Sequence, residues 1–231
     1  MKTKKIVIIV VCSLLFVTHI FSQQIAFDSY KKDDVNAFDR LIMKPYSKSL
    51  DYVGTAMTGL TLLTPTALFA APTEDYWKIG VEYVETMALA YGIKELCKFC
   101  VNRTRPYMYF DGAPENKIEK GDWNNSFISG HTTLSFAAAS FSSYLFSQYF
   151  SDSSWKSPVV ASSFALASIT AGCRLASGNH FMTDVLCGAV IGTGVGILVP
   201  FLNSFWIKPA YKSENIQVKC SPLGFLVQVN F

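Results

Sequence analysis

The chain has 231 residues, half of them hydrophobic and only 16% charged, with a net charge of +3. A mean hydropathy of +0.26 is oilier than an ordinary soluble domain and fits a membrane protein with polar loops. The small charge gives no electrostatic case for nucleic acid, and zinc-finger spacings, Walker-type loops and internal repeats are absent, so no nucleic-acid partner is expected.

Residues 1–22 read as a signal peptide or signal anchor. Lys2, Lys4 and Lys5 precede an apolar run from Ile6 to Ile20, and Ser22 offers a small residue for cleavage. Residues 23–50 are polar and mixed in charge, with Phe27, Tyr30, Val35, Phe38, Leu41 and Ile42 at loosely helical spacing. They suit an amphipathic helix, either on the membrane surface or packed on the bundle. Residues 51–203 form the membrane domain, and residues 204–231 a tail.

Within the domain, Tyr52 to Ala71 is an uncharged run of crossing length, and Pro65 inside it predicts a kink. Trp77 to Cys97 is a second helix, interrupted by Glu82, Glu85, Lys94 and Glu95. Charges in a spanning helix must face the interior, a partner or water. Glu82 and Glu85 are therefore either helpers near a site or structural. Residues 102–127 form the longest polar connection and carry Tyr107, Tyr109, Phe110 and Trp123. That loop either covers a site or contributes an aromatic belt.

Thr132 to Phe150 and Pro158 to Ala171 are rich in Ala and Ser, as closely packed helices are. Phe181 to Leu202 is the most apolar helix, and its Gly188 and Gly192 form a small-xxx-small pair for close helix approach. In the tail, Phe225, Val227, Val229 and Phe231 alternate as a strand does. Cys97 and Cys100 form a C-x-x-C, read chiefly as small residues at a helix end. Three histidines without paired ligands at metal spacing imply no metal site.

Three segments carry the chemistry. Cys173 to Asp184 contains Arg174, His180 and Asp184, the last two four residues apart. On a helix that spacing puts both on one face, so a carboxylate can fix the imidazole tautomer and leave the other nitrogen as nucleophile. The rival reading is a helix start that the His-Asp pair merely caps. In Ser126 to His131, a Ser-Gly pair precedes a histidine at the start of an apolar helix, where free N–H groups attract anions. Lys98, Arg103 and Arg105 follow a helix end, a position also suited to plain membrane-interface anchoring.

These residues resemble the type 2 phosphatidic acid phosphatase superfamily. Its pattern is Lys, six residues, Arg-Pro; then Pro-Ser-Gly-His; then Ser-Arg, five residues, His, three residues, Asp. Lys98 with Arg105-Pro106, Ser129-Gly130-His131, and Arg174, His180 and Asp184 match it, whereas Ile128 stands for the proline and Cys173 for the serine. The resemblance implies an all-α membrane bundle of five or six transmembrane helices with the active site at the outer helix ends. It implies catalytic His180, His131 and Asp184, phosphate binding by Lys98, Arg105, Ser129, Gly130 and Arg174, and no metal or cofactor. Arg103 lies outside the pattern and is an accessory.

With the five crossings above, all three segments emerge on one side, and the signal-like start assigns that side to the exterior. The expected protein is therefore a phosphatase of the inner membrane with its site facing the periplasm. Its substrate is a lipid phosphate: a lipid A phosphate first, undecaprenyl pyrophosphate or phosphatidylglycerophosphate next. Two alternatives stand beside it: a soluble relative of the acid phosphatases and haloperoxidases that share this site, and a non-catalytic membrane protein with a decayed site.

Overall fold

The computed structural model describes residues 30–204 and two strands beyond them. Five long helices build the bundle: α2 (Lys48–Leu62), α3 (Tyr76–Cys100), α5 (Gly130–Tyr149), α6 (Lys156–Ala176) and α7 (Met182–Ser204). Two short helices, α1 (Ala37–Arg40) and α4 (Glu115–Glu119), lie in the connections. Among the described residues, Lys48–Ala70, Lys156–Ala176 and Met182–Ser204 are long and apolar enough to cross a membrane. The signal segment expected at residues 1–22 lies outside the described residues.

Helix α5 sits at the centre and packs against α2, α3, α6 and α7. A helix screened by its neighbours can be rich in Ala, Ser and Thr. Some of its hydroxyls bond its own turns, as Thr133 Oγ1 donates to Ser129 O at 2.9 Å and Ser142 Oγ to Ala138 O at 2.8 Å, whereas those of Ser135, Ser140 and Ser143 are buried without a partner among the described residues. The expected close approach occurs between α5 and α7. A Cβ on Gly192 would meet Thr133 O at 2.2 Å, and one on Gly196 would meet Ala137 O at 2.4 Å. The small-xxx-small pair thus serves an intrachain contact, which Gly196 extends.

Four expectations are corrected. The segment from Tyr30 to Ser47 is not an amphipathic helix: beyond a 3-10 turn at Lys32–Asp34 it has only the four residues of α1. Asn36 caps α1 by accepting from Asp39 N at 2.9 Å, and the chain then runs on to pair Ser47 N with Ser177 O at 3.2 Å. The Pro65 helix does more than kink: its α-helical part ends at Leu62 and continues as a 3-10 helix over Thr64–Ala70, with Pro65 near its start. Helix α6 runs five residues past Ala171, so Arg174 lies in its last turn. Gly178, at φ +68°, ends that run; its N–H bonds Leu175 O at 3.0 Å, closing the helix in the left-handed conformation that glycine accepts. Finally, α7 starts at Met182, so His180 stands before the helix and not on it. The tail's strand pattern falls in an antiparallel pair, β1 (Ile216–Ser221) with β2 (Gly224–Val229).

Candidate functional site

The end of α3, the starts of α2 and α5, the end of α6 and the turn before α7 meet at one end of the bundle. Between them lies a cavity of about 300 Å³ lined by Lys98, Arg105, His131, Arg174 and His180, with Gly130 at its edge. Residues separated widely in sequence therefore share one space. Gly130 permits this packing, because a Cβ there would come within 2.6 Å of Lys94 Cδ on α3.

His180 is buried, and its Nδ1 lies 2.8 Å from the carbonyl oxygen of Ser126. A carbonyl only accepts, so Nδ1 carries the proton and Nε2 keeps its lone pair. Asp184 Oδ2 stands 3.8 Å from the same Nδ1. It is near enough to stabilise positive charge on the ring, but the hydrogen bond itself goes to Ser126. Burial holds the His180 imidazole at about 3, far below its ordinary value, and Arg105 adds to the shift while Asp184 opposes it. The ring is neutral at physiological pH.

Asp184 is fully buried and does not reach the cavity. Its Oδ2 accepts from Phe181 N at 2.9 Å and Ser126 Oγ at 2.5 Å, and its Oδ1 pairs with Arg103. The bond to Phe181 N caps the start of α7 from its third residue, half of a capping box. Of the two uses set against each other on sequence grounds, the cap is made directly, while the carboxylate stands 3.8 Å from the imidazole. Arg103 also donates to Thr183 Oγ1 at 2.7 Å, pairs with Asp39 Oδ2 at 2.5 Å and lies 4.2 Å from the centre of the Phe181 ring. Asp39, from α1, accepts Thr183 N at 2.9 Å. Burial raises the Asp39 carboxyl, but hydrogen bonds from Thr183, Asn36 and Arg103 outweigh this and hold it below its ordinary value.

The expected phosphate ligands do not all reach the cavity. Ser129 is fully buried: its N–H donates to Asp184 O at 3.2 Å and its hydroxyl pairs with Thr132 at 2.9 Å. Its part is to join the start of α5 to α7, while Gly130 and His131 present the helix start to the cavity. His131 Nε2 is 3.4 Å from Thr55 Oγ1. Ile128, in the family's proline position, is fully buried, and Cys173 packs against α2 near Gly54.

Among the lining residues that escaped the sequence reading, Asp51, Lys117, Asp122 and Asn179 bond the cations of the site. Asp51 pairs with Arg174 and, at 2.7 Å, with Lys117; Asp122 pairs with Arg105 at 2.5 Å. Asn179 Oδ1 accepts from Lys117 at 2.6 Å and from Arg105 at 3.3 Å. None belongs to a recognisable spacing, and only their position in the fold identifies them. Lys98 lines the cavity with no ion pair among the described residues. Glu82 and Glu85 are not helpers. They precede Lys98 by about four turns of α3, roughly 20–24 Å at about 1.5 Å per residue, and Glu85 accepts from Asn203 at 2.8 Å.

The loop at residues 102–127 does cover the site. Its ends are stapled by Arg103 N to Asn124 O at 2.9 Å, Arg105 N to Trp123 O at 2.8 Å and Ser126 N to Arg103 O at 2.9 Å. Tyr107 is buried against Tyr46 and donates its N–H to Gly178 O at 3.2 Å, so this aromatic supports the His180 turn.

A family model described as the PAP2 superfamily matches residues 79–207, more than half of the chain. The lipid A 1-phosphatase of Porphyromonas gingivalis is 34% identical over 136 residues, covering 58% of this chain and 25% of that protein. This chain thus spans about a quarter of that relative's length. The solved transmembrane PAP2-type phosphatidylglycerolphosphate phosphatase of Bacillus subtilis shares the fold. The similarity covers 74% of this chain and 85% of that one, at 22% identity and a TM-score of 0.50.

Proposed function

Because the chain belongs to the PAP2 superfamily, we propose that it is a membrane phosphatase that removes phosphate from a lipid through a phosphohistidine intermediate. One observation carries this reading. A neutral His180 with Nε2 unprotonated shares a cavity with His131 and with the cations Lys98, Arg105 and Arg174.

The roles follow from where charge develops. Lys98, Arg105 and Arg174 neutralise the phosphate oxygens, which otherwise repel a nucleophile. His180 Nε2 donates its lone pair to phosphorus, and the bond from phosphorus to the lipid oxygen breaks. Burial and the neighbouring Arg174 hold the His131 imidazole well below its ordinary value before the phosphate binds, so it takes up its proton together with the anionic phosphate, whose charge favours the imidazolium, and then gives that proton to the leaving oxygen. The phosphorylated His180 ring is now cationic, and the Ser126 carbonyl and Asp184 lie on its Nδ1 side to stabilise it. Neutral His131 then takes a proton from water, the water oxygen attacks phosphorus, the phosphorus–nitrogen bond breaks and phosphate leaves. Lysine and arginine supply the positive charge throughout, so the reaction requires no metal.

The substrate of this reading is a lipid A phosphate, met at the periplasmic face of the inner membrane. The similarity to the Porphyromonas gingivalis protein supports it. The test is phosphate release in detergent with EDTA, from lipid A, undecaprenyl pyrophosphate, phosphatidylglycerophosphate and phosphatidic acid. Turnover of lipid A that vanishes in His180→Ala is the expected result. Turnover of another lipid instead corrects the substrate. Equal activity in wild type and mutant, or none in either, removes the phosphohistidine reading and favours a decayed site.

A further inference from the structure

Lys117 belongs to none of the matched motifs. It sits on α4, inside the loop that covers the cavity, yet its Nζ lies 2.7 Å from Asp51 Oδ2 and 2.6 Å from Asn179 Oδ1, beside His180. Asp51 is in turn overcommitted. Its Oδ1 holds Arg174, its Oδ2 holds Lys117, and Tyr46 donates its hydroxyl to the same Oδ2 at 2.9 Å. One carboxylate thus serves two cations and a phenol on the floor of the cavity.

Two features mark this arrangement as a place for a larger anion. A carboxylate brings a single charge and two oxygens, whereas a phosphate monoester brings up to two charges and three terminal oxygens, matching the two cations. In addition, Arg174 is only 1% exposed, and its buried Nε has no hydrogen-bond acceptor. A buried guanidinium N–H without a partner is costly and calls for one. Asn179 already couples Lys117 to Arg105 through its side-chain oxygen, so Lys117 is held among the cations assigned to the phosphate.

Resting on the phosphatase reading, we infer that Lys117 is a substrate-binding residue. The substrate phosphate displaces the Asp51 carboxylate from between Arg174 and Lys117, and Lys117 then binds a phosphate oxygen and fastens the loop over it. Asp51 holds the two cations in place while the site is empty and competes with phosphate for them.

The experiment measures inorganic phosphate binding to the detergent-solubilised full chain by calorimetry, with KM, kcat and melting temperature on the lipid substrate alongside. The variants are Lys117→Met, Lys117→Arg and Asp51→Asn, with His180→Ala as a catalytically dead control that keeps the cations. Removing a charged hydrogen bond predicts that Lys117→Met weakens phosphate binding and raises KM by about 10- to 100-fold, with a smaller effect on kcat. Lys117→Arg restores most of the affinity, and Asp51→Asn tightens phosphate binding. Wild-type phosphate affinity and KM in Lys117→Met, whatever its melting temperature, would reduce Lys117 to a strap and overturn the inference. Phosphate binding by Asp51→Asn no tighter than wild type overturns the competition. If wild type and His180→Ala both fail to bind phosphate and wild type turns nothing over, the phosphatase reading itself falls.

Discussion

Replacing Arg103 by methionine removes the cation that ties α1 and the start of α7 to the turn that carries His180. Its guanidinium pairs with Asp39 at 2.5 Å and with Asp184, and the side chain is 22% exposed while both carboxylates are fully buried. Removing one partner of a buried ion pair costs about 3–5 kcal/mol. Here both acids keep other donors: Thr183 N at 2.9 Å and Asn36 Nδ2 at 2.7 Å for Asp39, Phe181 N at 2.9 Å for Asp184. The cost therefore falls at the low end, about 3 kcal/mol, which for a chain of this length lowers the melting temperature by roughly 6–12 °C. Because Asp184 also stands beside the His180 ring, the variant loses rate as well. A catalytic group misplaced by about 1 Å costs on the order of 100-fold. Arg103→Lys keeps the charge without the fork and falls between. Thermal unfolding and phosphate release, both in detergent and the latter well below the melting range, check the two effects. A variant that melts early but turns over like wild type refutes the positioning role, and one unchanged in both refutes the network.

Gly192→Leu places its side chain against the Thr133 carbonyl, which already lies 2.2 Å from an ideal Cβ. Helices α5 and α7 must separate, and the variant is expected to aggregate or lose its folded fraction in size-exclusion chromatography. Gly178→Ala combines a φ of +68° with a Cβ 2.4 Å from Lys44 O. The left-handed conformation alone costs about 1–2 kcal/mol, and displacement of the turn before His180 is expected to cut kcat more than it cuts stability at assay temperature. His180 titrates at about 3 in the fold against about 6.5 unfolded. Between these values the unfolded chain binds the extra proton, so this residue subtracts stability as pH falls from 6.5 toward 3 and contributes no change above 6.5. Imidazole NMR signals of His180 that hold steady from pH 7 to pH 5 meet this expectation, and a midpoint near 6.5 contradicts it.

The bundle was legible because each long helix is an apolar or Ala-Ser run bounded by polar turns, and periodicity locates such runs without knowledge of their partners. The family motif was legible by residue type and spacing, and Lys98, Arg105, His131, Arg174 and His180 do share a cavity. Local geometry was harder to read. The i,i+4 interval of His180 and Asp184 suggested a helix face, but Gly178 turns the chain and Asp184 caps a helix that starts two residues after the histidine. Ser129 looked like an anion ligand because the family pattern cannot show that its N–H is already bonded to Asp184 O. Asp51 meets Arg174 across 123 positions. No local pattern encodes such a meeting, since it depends on α2 and α6 packing side by side.

The staple at the base of the 102–127 loop has a consequence for how the protein can diversify. The hydrogen bonds joining Arg103 and Arg105 to Trp123, Asn124 and Ser126 hold the two ends of the loop together independently of what lies between them. The stretch from Asp111 to Pro114, between the buried Tyr107 and the helix that carries Lys117, can therefore take insertions that leave Lys98, Arg105 and the start of α5 where they are. Loop closure grows only slowly more costly with length, so related chains can vary this stretch widely. On the proposed phosphatase reading, new headgroup preferences arise there while the cavity keeps its geometry.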